Sequence, residues 1–188
     1  MLKVVLFPLQ VNYVNSYLIF HPQTLDAFLV DCGAFEPSLQ DFIKNNRLNL
    51  KFLLLTHGHY DHVDGVPDFQ KEYKVPIYSA NPDYDIQVAE GQSIAFGSYQ
   101  IKILETPGHT EDSVSYYIDG AVFVGDAIFA GAVGGTSHRI AFENETRKVW
   151  EKIFRLPDET IIYPGHGAAT TVAIERLYNP FFDQFVRD

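Results

Sequence analysis

The run Thr56-His57-Gly58-His59-Tyr60-Asp61-His62 constrains this chain more than any other part of it. It directly follows Phe52–Leu55, a hydrophobic stretch that reads as a buried strand. In extended backbone, residues two apart point to the same side. His57 and His59 therefore aim at one point, and a turn just after them brings Asp61 and His62 to an adjacent point. Imidazole nitrogens and a carboxylate oxygen are the donors that a borderline cation such as zinc prefers. The alternative is a solvated polar loop, but four donor side chains in six residues would then crowd together with no common partner.

Three more positions repeat the design one residue at a time. His109 lies in Thr106-Pro107-Gly108-His109-Thr110, Asp126 in Val124-Gly125-Asp126, and His166 in Tyr163-Pro164-Gly165-His166-Gly167. Each has a glycine immediately before it and follows a run that should be buried. Taken singly, each reads more readily as a capped turn than as a ligand. Together with the first cluster they account for five of the seven histidines, and strand ends with room for close backbone approach are a common site design.

The rest of the chain reads as strands in runs with helices between them. Strands are expected at Lys3–Phe7, Ser16–Phe20, Ala27–Asp31, Phe52–Thr56, Ile77–Ser79, Ser93–Phe96, Tyr99–Glu105, Ser113–Ile118, Val122–Val124 and Ile161–Tyr163. Helices are expected at Pro37–Asn46, Val63–Tyr73, Glu145–Arg155 and Thr171–Tyr178. No repeat or linker interrupts them, so one domain covering residues 1–188 is expected. Periodicity alone leaves α/β and α+β both open. The N-terminal apolar stretch is broken by Pro8, Gln10, Asn12, Asn15 and Ser16, so neither a signal core nor a membrane span is expected.

Charge and cysteine usage narrow the partners. A net charge of −10 disfavours nucleic acid and anionic membranes and leaves a small-molecule substrate as the expected partner. A single cysteine, Cys32, excludes an internal disulfide and fits a reducing compartment, so a cytoplasmic location is expected. Cys32 itself reads as a small buried residue.

As an ordered series these motifs resemble the metallo-β-lactamase fold superfamily, within it the glyoxalase II-like branch. The resemblance runs nearly end to end. It takes in Val30-Asp31-Cys32-Gly33, the His57–His62 cluster, Thr106–Thr110, Gly125-Asp126-Ala127-Ile128-Phe129-Ala130-Gly131, Pro164–Gly167 and Tyr178-Asn179-Pro180-Phe181. It implies an α+β fold, a four-layer αββα sandwich. It implies two divalent metal ions, zinc first, with iron or manganese as alternatives. His57, His59 and His109 would hold one ion, Asp61, His62 and His166 the other, and Asp126 would bridge them. Asp61 and Asp126 would also steer the proton. Asp31 would orient the ligand loops; its other reading is a strand-end cap.

The activity implied is hydrolysis of a hydroxyacyl-glutathione-type or other small thioester. Two metals that share a water bring its pKa to about 7, and the bridging hydroxide would attack the carbonyl. Two departures from the branch stand out. The C-terminal helical domain of the larger enzymes is not expected here. Gly135 stands where a basic residue is usual, with His138 and Arg139 as replacements or simply surface residues. The nearest rival is a mononuclear-iron persulfide dioxygenase, followed by a lactone hydrolase. A β-lactamase, an RNA-processing enzyme, a diiron electron-transfer protein and a non-catalytic metal binder fit less well.

Overall fold

The computed structural model describes residues 1–186, and its contacts group the chain into two compact units, Met1–Gln87 and Val88–Asp188. In the first unit, six strands form one mixed sheet in sequence order. They are β1 (Lys3–Pro8), β2 (Asn15–Phe20), β3 (Asp26–Val30), β4 (Asn49–Leu54), β5 (Ile77–Ser79) and β6 (Ile86–Gln87). β1, β2 and β3 pair antiparallel; β3 to β6 run parallel. Parallel neighbours need crossovers, and helices supply them: α1 (Pro37–Asn45) before β4, and α2 (Tyr60–Val63) and α3 (Val66–Glu72) before β5. Leu39 and Ile43 of α1 and Phe69 of α3 pack with Leu18, Leu29 and Leu53 in one core.

The helix expected over Val63–Tyr73 is broken into α2 and α3. Gly65 separates them. Its N–H donates to the Cys32 carbonyl at 2.8 Å, and a Cβ there would lie 2.6 Å from the Ala34 Cα. The chain must bend to keep that contact, and α3 restarts with Pro67 in its first turn. The strand expected to end at Asp31 stops at Val30, because Asp31 takes a left-handed conformation with φ 57°.

The second unit holds another mixed six-stranded sheet. Its strands are β7 (Ser93–Phe96), β8 (Tyr99–Glu105), β9 (Val114–Ile118), β10 (Ala121–Gly125), β11 (Ile161–Pro164) and β12 (Thr170–Thr171), also in sequence order. β10 and β11 are the parallel pair, joined through α4 (Arg139–Lys148) and a π-helical turn, Val149–Ile153. β10 is buried along its whole length, whereas β7 alternates exposed and buried positions as a half-covered strand must. Val122, Val124, Ile128, Val149, Ile153 and Phe182 form the core. The helix expected from Glu145 begins six residues earlier, because the His138 side chain caps it by accepting from the Ala141 N–H at 3.1 Å. After α5 (Val172–Tyr178), a 3₁₀ turn at Pro180–Phe182 leads into α6 (Asp183–Val186).

Two buried polar residues tie this tail to the loop that follows β10. Glu175 accepts from the Gly131 N–H at 2.9 Å and from the Thr170 hydroxyl at 2.7 Å. Asn179 donates to Glu175 at 2.9 Å and to the Ala132 carbonyl at 3.0 Å. Truncating one member of a buried, satisfied set leaves the others short of partners, at about 1–3 kcal/mol for each group. Asn179→Ala should lower stability by about 2–4 kcal/mol. Urea unfolding would show this as a lower midpoint at an unchanged slope.

Candidate metal centre

In the first unit, the ends of β3 and β4 lie side by side, and both chain ends turn into the site. Functional groups gather at the carboxyl ends of parallel strands because the loops leaving them face one edge. Asp31 follows β3 and is 2% exposed. Its Oδ1 accepts from the Thr56 N–H at 2.8 Å, and its Oδ2 accepts from the Thr56 hydroxyl at 2.8 Å and faces His62 Nδ1 at 2.7 Å. The carboxylate therefore fixes the proton on Nδ1 of His62 and directs the lone pair to Nε2. The His57 ring stands 4.1 Å from the His62 ring and 4.9 Å from the His59 ring, centroid to centroid. Donor atoms of His57 come within 4.8 Å of donor atoms on His59 and on His62, and Asp61 comes as close to His62.

Gly33 explains how the His62 loop comes so near. A Cβ on it would lie 1.6 Å from the Asp61 carbonyl oxygen, so only glycine lets the chain after β3 pass beneath Asp61. The sequence reading overlooked Asn12, whose amide donates to Asp61 Oδ2 at 2.6 Å. Nothing in the spacing of Asn12 marks it, since the contact spans 49 residues.

In the second unit, β8 delivers His109, β10 delivers Asp126 and β11 delivers His166. Asp126 Oδ2 lies 3.5 Å from His109 Nε2 and also 3.5 Å from His166 Nε2. Two donors on one tetrahedral cation, each about 2.0–2.1 Å from it, stand about 3.4 Å apart. This donor set fits a divalent ion, with one carboxylate oxygen placed between two imidazoles. His109 Nδ1–H donates to the Gly135 carbonyl at 2.6 Å, which leaves Nε2 as its ligand nitrogen. Gly134 must be small, because a Cβ there would lie 2.0 Å from the Asp126 carbonyl oxygen and 3.0 Å from His109 Nδ1.

The Gly134-Gly135 pair thus acts through its backbone. Of the residues weighed as a replacement for the missing positive charge, Arg139 is paired with Glu143 at 2.7 Å on the surface. His138 has its Nδ1 committed to the helix cap and lines a groove of about 840 Å³ together with His109, Asn144 and Arg147. Cys32 is buried, as expected, and burial pushes its thiol well above the usual range.

Three comparisons place these motifs. The sequence profile of the metallo-beta-lactamase superfamily matches residues 9–87 and 78–166. The chain belongs to this superfamily. It is 36% identical over 152 residues to a hydroxyacylglutathione hydrolase of Hahella chejuensis, covering 75% of this chain and 57% of that protein. It is 28% identical over 210 residues to the hydroxyacylglutathione hydrolase GloC of Haemophilus influenzae, covering 97% of this chain and 99% of that one. The crystal structure of ETHE1 from Myxococcus xanthus superposes with a TM-score of 0.86 at 28% identity, over 95% of this chain and 83% of that one. The α+β metallo-β-lactamase fold expected from the motifs is the fold observed. It is a divalent-metal-binding fold of a superfamily composed mostly of hydrolases. No helix among the described residues is long and apolar enough to cross a membrane.

Glu145 was also missed. It is fully buried on α4, directly beneath the His109 loop. Burial, and then the charge of Asp126, push its carboxyl up to about 8, with the backbone of His109 opposing weakly. A carboxyl whose folded pKa is raised stays protonated in the folded chain while the unfolded chain ionises from about pH 4.5 upward. Stability is therefore lost as pH rises from about 4.5 to 8. In metal-free protein, Glu145→Gln should flatten this segment. The difference between the two stability curves, measured by denaturant unfolding from pH 5 to 8, should change by about 2–5 kcal/mol. Parallel curves would mean that the carboxyl ionises normally.

Proposed function

We propose that the chain is a metal-dependent thioester hydrolase, acting on a hydroxyacyl-glutathione-type or other small thioester. The observation that carries this reading is the single Asp126 oxygen set 3.5 Å from both His109 Nε2 and His166 Nε2. In this reading His57, His59 and His109 serve one ion, Asp61, His62 and His166 serve the other, and Asp126 serves both. A bound pair of divalent ions would supply Lewis acidity and acidify a water toward neutral pH. The similarity to two proteins named hydroxyacylglutathione hydrolase supports the thioester class. One of the two is a protein of which this chain spans just 57%.

The protein's own contribution is orientation. Asp31 holds His62 in one tautomer, the Gly135 carbonyl holds His109 in one tautomer, and Asn12 fixes one oxygen of Asp61. Such outer contacts set ring direction and donor strength. They leave the carboxylates of Asp61 and Asp126 as the groups that hold and pass on a proton during turnover. The side chains already assigned need no serine or cysteine nucleophile, and Cys32 is buried as a neutral thiol.

The structural likeness to ETHE1 favours one second reading, oxidation of a persulfide at a single iron. In that reading His62 and His166 hold no ion. Metal content separates the two. Asp126→Ala should lose most of both equivalents and nearly all thioester turnover, and His166→Ala should lose mainly one. Elemental analysis of the purified variants, with assays on a thioester and on glutathione persulfide, checks this. Equal metal content in the two variants would overturn the shared role of Asp126.

A further inference from the structure

The peptide unit between Pro107 and Gly108 is held at both ends. Its carbonyl accepts from Asn144 Nδ2 at 3.0 Å, and its N–H donates to the Thr110 carbonyl at 3.0 Å. Gly108 stands at φ 154° and lies against α4. The next residue is His109, with its Nε2 3.5 Å from Asp126 and its Nδ1–H tied to the Gly135 carbonyl. The ring and its backbone are thus anchored separately, the ring by Gly135 and the backbone by Asn144.

Asn144 can hold the loop in just one of the two orientations of its amide. Turned over, it would present Oδ1 to a carbonyl oxygen, and two acceptors would face each other. Arg147, three residues along α4, settles the choice. Its Nη2 donates to Asn144 Oδ1 at 2.6 Å. A guanidinium has donors alone, so the atom facing it must be the oxygen, and Nδ2 is left for Pro107. The bond is short and charge-assisted. Helix spacing by itself predicts a different partner for this arginine, because Glu151 stands four residues on, within reach of an ion pair. Yet the Glu151 oxygen lies 3.4 Å from Nη1. Half exposed, Arg147 makes its closer contact with a neutral amide.

We propose that Asn144 and Arg147 are positioning residues for His109, so that the metal affinity of the centre depends on a surface guanidinium two hydrogen bonds away from the His109 loop. Arg147 fixes the amide, the amide fixes the Pro107 carbonyl, and the fixed peptide sets where His109 Nε2 stands. Ligand side chains must be held to within about 0.5 Å, and the groups behind a ligand are worth about 10–100-fold in metal affinity. The proposal deepens the metal-centre reading and rests on His109 as a ligand.

The chain and its variants are titrated with zinc against a chromophoric chelator, and the visible absorption of the cobalt-loaded forms is recorded. Asn144→Asp keeps an acceptor for Arg147 but has no donor for Pro107, and should weaken zinc binding by about 10–100-fold. Arg147→Ala should weaken it by about 3–10-fold and shift the cobalt bands. Arg147→Lys keeps a donor and should restore most of the loss, and Glu151→Gln should match the parent. Metal-free Arg147→Ala should unfold near the parent temperature, which separates lost positioning from lost fold. Parent affinity with an unchanged cobalt spectrum in Arg147→Ala, or an equal loss in Glu151→Gln, would overturn the relay alone. Undiminished zinc affinity in His109→Ala would overturn the metal reading of His109, and the relay with it.

Discussion

The carboxylate of Asp31 is the interaction on which the first half of the site depends. It sits in the interior at a left-handed φ that costs a non-glycine residue about 1–2 kcal/mol. The surroundings hold it there: its N–H donates to the Leu54 carbonyl at 2.9 Å, and its carbonyl accepts from the Ser16 hydroxyl at 2.6 Å. Three hydrogen bonds to the carboxylate from Thr56 and His62 offset the burial of its charge. The left-handed turn is what carries the chain out of β3 and toward the His62 loop. Removing the strain would therefore remove the geometry that makes the carboxylate useful.

The histidines differ in what stands behind them, and this gives the site an asymmetry. His62 leans on a carboxylate, His57 on the Thr56 hydroxyl at 3.1 Å and His109 on a backbone carbonyl. An anionic partner raises the basicity of an imidazole more than a neutral one does. His62 is then the strongest donor of the three. In the proposed two-ion reading, the ion held by His62 would carry less effective positive charge than the other, and the other would be the better place to polarise an incoming carbonyl. The asymmetry follows from hydrogen-bond partners alone, whatever the metal.

Much of this was legible in the sequence because it is local. The buried strands announce themselves through apolar runs such as Phe52–Leu55 and Val122–Val124, and donors placed just after them have few other uses. What escaped is tertiary. The break at Gly65 depends on Cys32 and Ala34 some thirty residues away, and the early start of α4 depends on which atom of His138 faces the helix. Gly135 was weighed by the side chain it lacks, whereas its carbonyl is the part that acts. Asn12 and Glu145 carry no motif, because their significance lies wholly in the partner reached across the fold.

Some of the costs the fold carries stand beside the proposed donors. Gly108 has φ 154°, and a Cβ on it would lie 2.2 Å from the Glu145 Cβ, so the His109 loop is pressed onto α4 as closely as backbone allows. Asn144 clamps the same loop by donating to the Pro107 carbonyl at 3.0 Å. A leucine at Glu145 would pack there without a desolvation penalty, yet a carboxyl is present. Among the described residues, left-handed Leu25, Arg47 and Asp119 turn the chain between elements, whereas left-handed Asp31 bonds His62 and the buried acid at Glu145 lies against the His109 loop. A sequence selected for stability alone would replace the buried acid, since it belongs neither to a turn nor to an apolar core.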